Sequence, residues 1–473
     1  MNMSKEVLRE IVNWKLEAKL EDNQRYFYHT SDIDLIESGS RCYVIGRKGT
    51  GKTAISEYLY QGKSAQRFSY KLSFKNFPFN DLYELENKSF RAPNTYITLW
   101  KYIIYSSVAK MMMQNQNIDP DVRDRLSKVY SDDPEKSLSR TITKWTSRTL
   151  QFSVLGTGGG GGATQASAKN ETSWLERVEV LEKLIDDHID DCTYLIIFDE
   201  LDEDYRDITV AERHDQYTAL LTSLFKAVQD VKATFKDSTS NVLPVIFLRD
   251  DIYDFIKDPD KNKWRDLTIE LDWDPHSIKR LLAFRISRAK SLSGPILSFQ
   301  SAWDGIFAVA QVGYGARQKK QLEAFDYITR VTQIRPRDYI RYLKACAESA
   351  LARDLELIVP EVTVKADKAF SNYLRSELED EIHGVLPNIG QIFDTIAHIS
   401  KQNFSYEEFR HAYGKTENET LIALKVLFYF SVIGNQPPQR NVQIFRYLSN
   451  DARFNSEQVI CVHRGLYKAL QIY

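Results

Sequence analysis

The chain has 473 residues, of which 43% are hydrophobic and 27% are charged, a balance typical of a folded globular protein and not of a disordered or fibrous one. A prior of roughly 100–200 residues per domain predicts two to four domains. With 63 lysine and arginine residues against 65 acidic residues, the formal net charge is -2. The chain as a whole therefore offers no electrostatic attraction to nucleic acid or to an anionic membrane, and a nucleic-acid role would need a local basic patch.

Neither the N-terminus nor the cysteines indicate export. The N-terminal residues are charged and helical in pattern, without the apolar core of a signal peptide. No stretch reaches the ~18 apolar residues of a membrane helix. The four cysteines, Cys42, Cys192, Cys346 and Cys461, lack the C-x-x-C spacing of a metal site, and we expect buried reduced thiols. We therefore expect a cytoplasmic protein without a membrane partner.

Strands and helices alternate in the first part of the chain. An amphipathic helix is predicted within the first thirty residues. The run Gly156–Gly162 cannot hold a regular element, and we read it as the tip of an insertion at about residues 80–190. The alternation predicts an α/β fold with a parallel sheet and helices on both faces. The further predicted elements are strands at Arg41–Ile45, Phe68–Phe79, Tyr194–Phe198 and Val242–Leu248 and helices at Thr53–Gln61, Ile97–Met113 and Tyr217–Val231.

Beyond Pro275 the pattern is largely helical. Segments at Ile278–Lys290 and Pro336–Leu351 predict a helical lid. The last block carries further helical segments and then two strand-like stretches, Val442–Leu448 and Glu457–His463. Helices followed by a β-hairpin favour a C-terminal winged-helix-like domain.

The glycine-rich turn after the first predicted strand reads GRKGTGKT and fits the phosphate-loop pattern G-x-x-x-x-G-K-[ST]. Its glycines let the backbone wrap phosphates with N–H groups pointing inward, and the following helix adds its positive end. Lys52 would bridge the β- and γ-phosphates, and the Thr53 hydroxyl would ligate Mg²⁺. The expected cofactors are ATP and Mg²⁺, with adenine favoured only as the commoner base. The predicted nucleotide-binding residues of the loop are Gly46, Arg47, Lys48, Gly49, Thr50, Gly51, Lys52, Thr53 and Ala54.

The second motif, YLIIFDELDE, supplies carboxylates after a buried strand. An acid at the carboxyl edge of a parallel sheet lies where such sheets bind ligands. Asp199 would then hold Mg²⁺ through water, and Glu200 would polarise the attacking water as general base. Asp202 and Glu203 are alternatives for that second role. We predict a P-loop nucleotide-binding domain at residues 1–274, a lid at 275–360 and a winged-helix-like domain at 361–473.

Three arginines are candidates for contact with the γ-phosphate. Arg249 follows the strand Val242–Leu248 and either senses the phosphate or pairs with a neighbouring aspartate. Arg335 and Arg337 start a helix of the predicted lid, where they either report the nucleotide state or form ordinary helix-start salt bridges. The histidines form no H-x-x-x-H pair and G-x-S-x-G is absent from the sequence, which disfavours metal and serine hydrolases.

The chain resembles the AAA+ and STAND-like branch of P-loop ATPases, in particular the KAP- and NACHT-related prokaryotic ATPases. The resemblance rests on GRKGTGKT, FDELDE, FLRDDIYD and IRPRDYIRYL. FDELDE is similar to the D-x-L-D pattern of those groups, in which an acid two places beyond the Mg²⁺ acid shares the catalytic role. The resemblance implies a five-stranded parallel core, a helical lid, often a winged helix, and an oligomeric ATPase switch in antiphage defence or signalling that acts with a separate effector.

Two other functions remain open at this stage. One is a DNA-binding initiator or loader similar to origin-recognition ATPases, although the candidate recognition helix at Glu419–Ser431 carries only Lys425 as a basic residue. The other is a scaffold that binds nucleotide without turnover. An arginine acting on a neighbouring subunit of a homo-oligomer is a further open point. Its candidates are Arg265, Arg280, Arg285 and Arg288.

Overall fold

The computed structural model describes residues 3–74, 94–130, 174–204, 211–236, 241–315, 319–438 and 442–472. The glycine run Gly156–Gly162, part of the predicted insertion at about 80–190 and the side chain of Glu203 lie outside the described part. The chain divides into two compact units. The helical unit comprises Met1–Tyr28, Lys48–Gly51 and Asp272–Tyr473, and the sheet unit comprises His29–Arg47 and Lys52–Leu271. The three domain boundaries given above stay a prediction.

The N-terminal segment forms two helices of the helical unit, α1 (Met3–Asn13) and α2 (Asn23–Tyr26). Helical spacing brings Val7, Leu8 and Ile11 onto one face of α1, and all three are buried. The prediction of an amphipathic helix over the first thirty residues is therefore confirmed only up to Asn13, because the chain continues with a turn of 3₁₀-helix at Ala18–Leu20 and the separate helix α2.

The sheet unit is built on five parallel strands in the order β2-β3-β4-β1-β5. The apolar runs of β3 and β4 are almost wholly buried, as a sheet covered on both faces requires. Because all five strands run the same way, the residues that follow β1, β3 and β4 share one edge. The predicted α/β P-loop fold is confirmed. The strands are β1 (Tyr43–Ile45), β2 (Arg67–Ser73), β3 (Thr193–Asp199), β4 (Asn241–Leu248) and β5 (Thr268–Glu270).

Several helices of the sheet unit pack against one another and against the sheet. The longest described ones, α5 (Asn94–Gln114) and α8 (Ala211–Thr234), contact each other, and α8 also packs on β4. Trp100 of α5 donates its indole N–H to the carbonyl of Leu220 in α8, 2.9 Å away. The remaining described helices of the unit are α3 (Ser31–Glu37), α4 (Lys52–Gln61), α6 (Pro120–Val129), α7 (Trp174–His188), α9 (Asp250–Phe255) and α10 (Lys261–Trp264).

The helical unit has one continuous hydrophobic core. Asp274 caps the first helix after residue 272 through a capping box with Ser277, and Pro275 takes the first helical position. α1 packs against both α11 and α14 of this unit. Its elements up to residue 382 are α11 (Pro275–Lys290), α12 (Phe299–Trp303), β6 (Val312–Tyr314), β7 (Lys320–Leu322), α13 (Ala324–Thr329), α14 (Pro336–Leu351) and α15 (Pro360–Ile382).

The C-terminal block has winged-helix topology. The order is helix, strand, two helices and two strands, and the three strands form an antiparallel sheet in the order β8-β10-β9. Capping boxes begin α17 at Ser405 and α18 at Thr416. The predicted winged-helix-like domain is confirmed as a fold. Its elements are α16 (Ile389–Ile399), β8 (Asn403–Phe404), α17 (Tyr406–Tyr413), α18 (Glu417–Tyr429), β9 (Ile433–Gln436) and β10 (Val459–Val462).

One predicted strand of this block was wrong. The partner of β10 is β9, not Val442–Leu448, of which Ile444 makes only a single bridge to Asn435 before a turn of 3₁₀-helix at Arg446–Leu448. The segment IGNQ of β9 was not predicted as a strand, and its glycine and asparagine are residues that usually interrupt strands. The strand needs Gly434 because a Cβ there would lie 2.6 Å from the Ile444 carbonyl oxygen.

Candidate functional site

The GRKGTGKT loop connects β1 to α4 and depends on two of its glycines. Gly49 has φ +85° and Gly51 has φ +107°, conformations that residues with a Cβ rarely adopt. A Cβ at Gly49 would also lie 3.2 Å from the Cβ of Arg337. The start of the loop is tied to the sheet because the Gly46 N–H donates to the Leu248 carbonyl at 3.2 Å.

Five successive carbonyl groups of this loop, from Gly46 to Thr50, accept hydrogen bonds. In the sheet unit, the Lys52 ammonium donates to the carbonyls of Gly46 at 2.6 Å and Arg47 at 3.0 Å. In the helical unit, the next three carbonyls accept from three different donors. Arg335 Nη1 donates to Lys48 O at 3.1 Å, the Arg337 backbone N–H to Gly49 O at 3.4 Å and the Trp273 indole N–H to Thr50 O at 2.9 Å.

This pattern fixes the direction of the loop peptides. In a planar trans peptide the C=O and the N–H of the next residue point in opposite directions. Each N–H of residues 47–51 therefore points away from the donor that is bonded to the preceding carbonyl. These N–H groups and the first turn of α4 are donors of the kind that phosphate groups favour. The loop residues fit the triphosphate group of a nucleoside triphosphate.

Lys52 begins α4, with Thr53 and Ala54 half-buried in the same turn. Burial lowers the pKa of the Lys52 ammonium, against the opposing pull of Asp202 and Asp250. A desolvated ammonium held by carbonyl dipoles is a strong partner for an anion, because it has few water contacts to lose.

Asp199, the predicted Mg²⁺ acid, ends β3 and is buried. Its Oδ2 accepts from the Ser56 hydroxyl at 2.6 Å and from the Lys71 ammonium at 2.8 Å, and its Oδ1 accepts from the Glu200 N–H at 2.9 Å. Burial opposes the charge of Lys71, but Asp199 and Glu57 outweigh burial and raise the pKa of Lys71. The carboxylate oxygens suit Mg²⁺, and a metal held there would share Asp199 with Lys71.

Glu200 and Asp202 follow the same strand. Glu200 has φ +60°, a left-handed conformation that is costly for a residue with a side chain and occurs often at functional sites. The Ser73 hydroxyl at the end of β2 donates to the Glu200 carboxylate. Asp202 is half-exposed and lies 3.6 Å from Arg249.

Arg249 is held in the sheet unit by a two-pronged ion pair with Asp251. Nε and Nη2 of Arg249 donate to the two carboxylate oxygens at 2.9 and 2.6 Å, and both side chains are largely buried. The pairing proposed as one alternative is therefore present. Contact of Arg249 with a phosphate stays a prediction.

Arg335 and Arg337 sit at the start of α14 in the helical unit. Arg335 is buried, and Asp338 accepts from it through both carboxylate oxygens at 3.3 and 3.1 Å, with Glu381 3.4 Å away. Burial opposes its charge, but these two acids outweigh burial and raise the pKa of Arg335. Arg337 pairs with Glu377 at 3.0 Å. Their predicted nucleotide contact remains untested, and the structure adds their bonds to the loop carbonyls.

Four residues of this site were missed or misread in the sequence. Ser56, Lys71, Ser73 and Trp273 had no predicted role at this site. Two signals were available. Lys71 and Ser73 alternate along β2 and therefore share one face, and Ser56 lies three residues after Thr53 on one side of a helix. One arginine considered for a trans-acting role, Arg285, is buried in an ion pair with Glu21.

Comparisons with known proteins give distant similarities. The family model of the FunZ-associated C-terminal helical domain matches residues 276–379, well under half of the chain. A curated relative, the transposon gamma-delta 80.3 kDa protein of Escherichia coli (strain K12), is 21% identical over 406 residues. That match covers 80% of this chain and 52% of the relative, so the chain spans about half the length of the curated protein it matches.

Three solved structures also align with most of the chain. Cdc6p from Pyrobaculum aerophilum aligns with TM-score 0.32 and 10% identity, over 94% of this chain and 93% of that one. The Aeropyrum pernix ORC2 protein aligns with TM-score 0.39 and 12% identity, over 93% and 89%, and Drosophila ORC bound to DNA with TM-score 0.28 and 11% identity, over 93% and 85%. Similarity at this level carries no information on activity. Among the described helices, none is both long and apolar enough to cross a membrane.

Proposed function

We propose that the chain is an ATP-binding and ATP-hydrolysing molecular switch. The observation that carries the proposal is the form of the GRKGTGKT loop, in which Gly49 and Gly51 have positive φ angles, the carbonyls from Gly46 to Thr50 all accept hydrogen bonds, and Lys52 begins α4. Glycine at positions 49 and 51 lets the backbone N–H groups of the loop come close to a phosphate chain, and Lys52 adds a positive charge beside it.

The remaining residues take roles around that loop. Bound Mg²⁺ would neutralise charge on the phosphate oxygens, and Thr53 and Asp199 are the residues that would hold it. Glu200 would orient and deprotonate the attacking water, with Asp202 as the second acid of the pair. Lys52 would leave the carbonyls of Gly46 and Arg47 for the phosphates, because a charged oxygen is a stronger acceptor than a carbonyl.

The biological setting of this switch comes from the resemblance to KAP- and NACHT-related ATPases. It would place the chain as the ATPase component of a bacterial antiphage defence or signalling system, active as a homo-oligomer together with a separate effector protein. Nucleotide binding would then bias one of two states, and hydrolysis would reset it.

The proposal is tested first by binding. MgATP should raise the unfolding temperature of the wild type, because a ligand that binds only the folded state stabilises it. Lys52→Ala should lose this shift, while Lys63→Ala, which changes an exposed lysine just beyond α4, should keep it. Equal shifts in unfolding temperature in all three proteins would show that the loop does not bind the nucleotide.

A DNA-binding initiator or loader remains the second candidate, and the winged-helix topology of residues 389–462 favours it. A DNA-reading helix normally carries several basic residues, but α18 carries two glutamates and one lysine, Lys425. Duplex binding by the full chain that weakens steeply with added salt would support this function. ATP turnover without such binding would favour the switch.

A further inference from the structure

A second candidate site lies wholly within the helical unit. A cavity of about 590 Å³ is lined by the β6–β7 hairpin, the residues after α13, one face of α15 and the C-terminal segment Arg464–Lys468. Small-molecule sites typically have volumes of roughly 300–1,000 Å³. The residues that line this cavity are different from those of the candidate nucleotide site.

The lining of this cavity is strongly basic. Asp367 is the one acid among its described lining residues. Within the described part of the chain, none of the basic residues forms an ion pair with a carboxylate. The whole chain has a net charge of -2, so this concentration of positive charge does not follow from composition. Five basic residues of the lining form this basic cluster: Lys319, Lys320, Arg330, Arg464 and Lys468.

The single acid is already committed to other partners. The hydroxyls of Tyr327 and Tyr342 each donate to a different Asp367 oxygen at 2.6 Å. Burial raises the pKa of Asp367, against the opposing effect of these two bonds and of Lys468. Even when Asp367 is ionised, its single negative charge leaves the five positive charges of the basic cluster in excess.

Arg330 is positioned to bind an anion. Its guanidinium carbon lies over the Tyr314 ring, 3.8 Å from the ring centre, and this cation–π contact helps to position the group. A stacked guanidinium keeps its N–H edge for hydrogen bonds, and that edge matches the two oxygens of a phosphate. Unpaired cations gathered around a cavity repel one another, and an anion of high charge removes that cost.

We propose that this cavity binds a small ligand that carries several phosphate groups. The five positive charges against one committed acid set the chemistry, and the cavity volume sets the size. A nucleic acid duplex is too wide to enter a space of about 590 Å³. Inorganic polyphosphate and a nucleotide share this chemistry.

The test uses the full chain with Lys52→Ala, so that the loop does not compete, and titrates it calorimetrically with inorganic tripolyphosphate and, separately, with ATP. In that background the pocket pair is Lys320→Gln with Lys468→Gln, and the control pair is Lys290→Gln with Lys415→Gln. All four lysines are exposed in the helical unit, but only the first two line the cavity.

We expect saturable binding that the pocket pair weakens about tenfold or more, since it removes two positive charges that would contact the phosphates. The control pair should bind within about twofold of the parent, because neither of its lysines lines the cavity or neighbours a lining residue in the sequence, and salt screens charges that make no contact. Tighter binding of ATP than of tripolyphosphate would identify the source as a nucleotide, and the reverse order would identify a bare polyphosphate.

Three outcomes would overturn the proposal. They are absence of saturable binding, an equal loss in the pocket and control pairs, and a pocket pair that loses affinity for duplex DNA when tripolyphosphate does not bind. None depends on hydrolysis at the loop, so the result is separate from the fate of the proposed ATPase.

Discussion

Replacing Trp273 by phenylalanine removes the donor to Thr50 O at 2.9 Å while keeping an aromatic ring. Thr50 is 2% exposed, so its carbonyl has little access to replacement water. A neutral hydrogen bond contributes roughly 0.5–1.5 kcal/mol. Without this bond the Thr50–Gly51 peptide can rotate, so that the Gly51 N–H no longer faces the phosphates, and a loss of about 1 kcal/mol corresponds to about a fivefold loss in affinity. We therefore expect the Kd for MgATP to rise about fivefold.

The matched control is Trp303→Phe, which changes a tryptophan of the same unit whose ring stacks on Phe307 at 4.1 Å. Titration calorimetry with a non-hydrolysable ATP analogue gives both constants, and urea unfolding of the free proteins separates affinity from stability. A Trp273→Phe protein that loses stability but binds the analogue like the wild type would refute the reasoning. So would an equal loss of affinity in the control.

Three further predictions concern the sheet unit. Ser73→Ala removes the hydroxyl that donates to the Glu200 carboxylate, and we expect kcat to rise by about threefold to fivefold with the Kd for MgATP unchanged. A fall in kcat in a steady-state assay would show instead that the Ser73 hydroxyl holds Glu200 in its working position. Lys71→Met leaves the buried Asp199 carboxylate without its cation, so the free energy of unfolding in urea should fall by about 3 kcal/mol, and adding Asp199→Asn to the same chain should recover part of that loss. MgADP should stabilise Lys71→Met more than the wild type, whereas an equal effect on both proteins would show that Asp199 does not bind the metal. Burial lowers the pKa of Lys52 in the folded protein, so between that pKa and about 10.4 the unfolded chain binds a proton that the folded chain lacks. The free energy of unfolding of the wild type, relative to Lys52→Met, should therefore rise with pH in this window. A difference in unfolding midpoint between the two proteins that stays constant with pH would contradict the lowered pKa.

The phosphate loop and the sheet could be predicted from the sequence because their signals are local. The loop pattern lies within eight consecutive residues, Gly46–Thr53, and β3 and β4 are unbroken apolar runs. The same holds for α14, predicted and found at Pro336–Leu351. All four cysteines are free and buried, as expected.

The partners of the site could not be predicted because they come together only through tertiary structure. Lys71 meets Asp199 since β2 pairs with β3 in a register that sequence spacing does not reveal. Trp273 reaches Thr50 across 223 positions of chain. For Arg335, the missing information was Glu381, whose charge helps hold the guanidinium beside Lys48 O.

β9 shows a different limit. Its IGNQ letters have turn character, and only the close approach of the Ile444 carbonyl to Gly434 explains why a strand forms there. Sequence patterns describe what a segment prefers, and here the pairing with β10 outweighs that preference.

The central claim is tested most directly by Mg²⁺-dependent ATP hydrolysis, with molecular mass in parallel, for the wild type, Lys52→Ala, Glu200→Gln and Glu361→Gln. The last variant changes an exposed carboxylate at the start of α15 and serves as control. We predict turnover in the wild type and the control, loss of turnover in the other two, and retention of bound ATP in a larger assembly by Glu200→Gln. Turnover by Glu200→Gln at the wild-type rate would contradict the account, as would tight nucleotide binding without turnover in the wild type at every protein concentration.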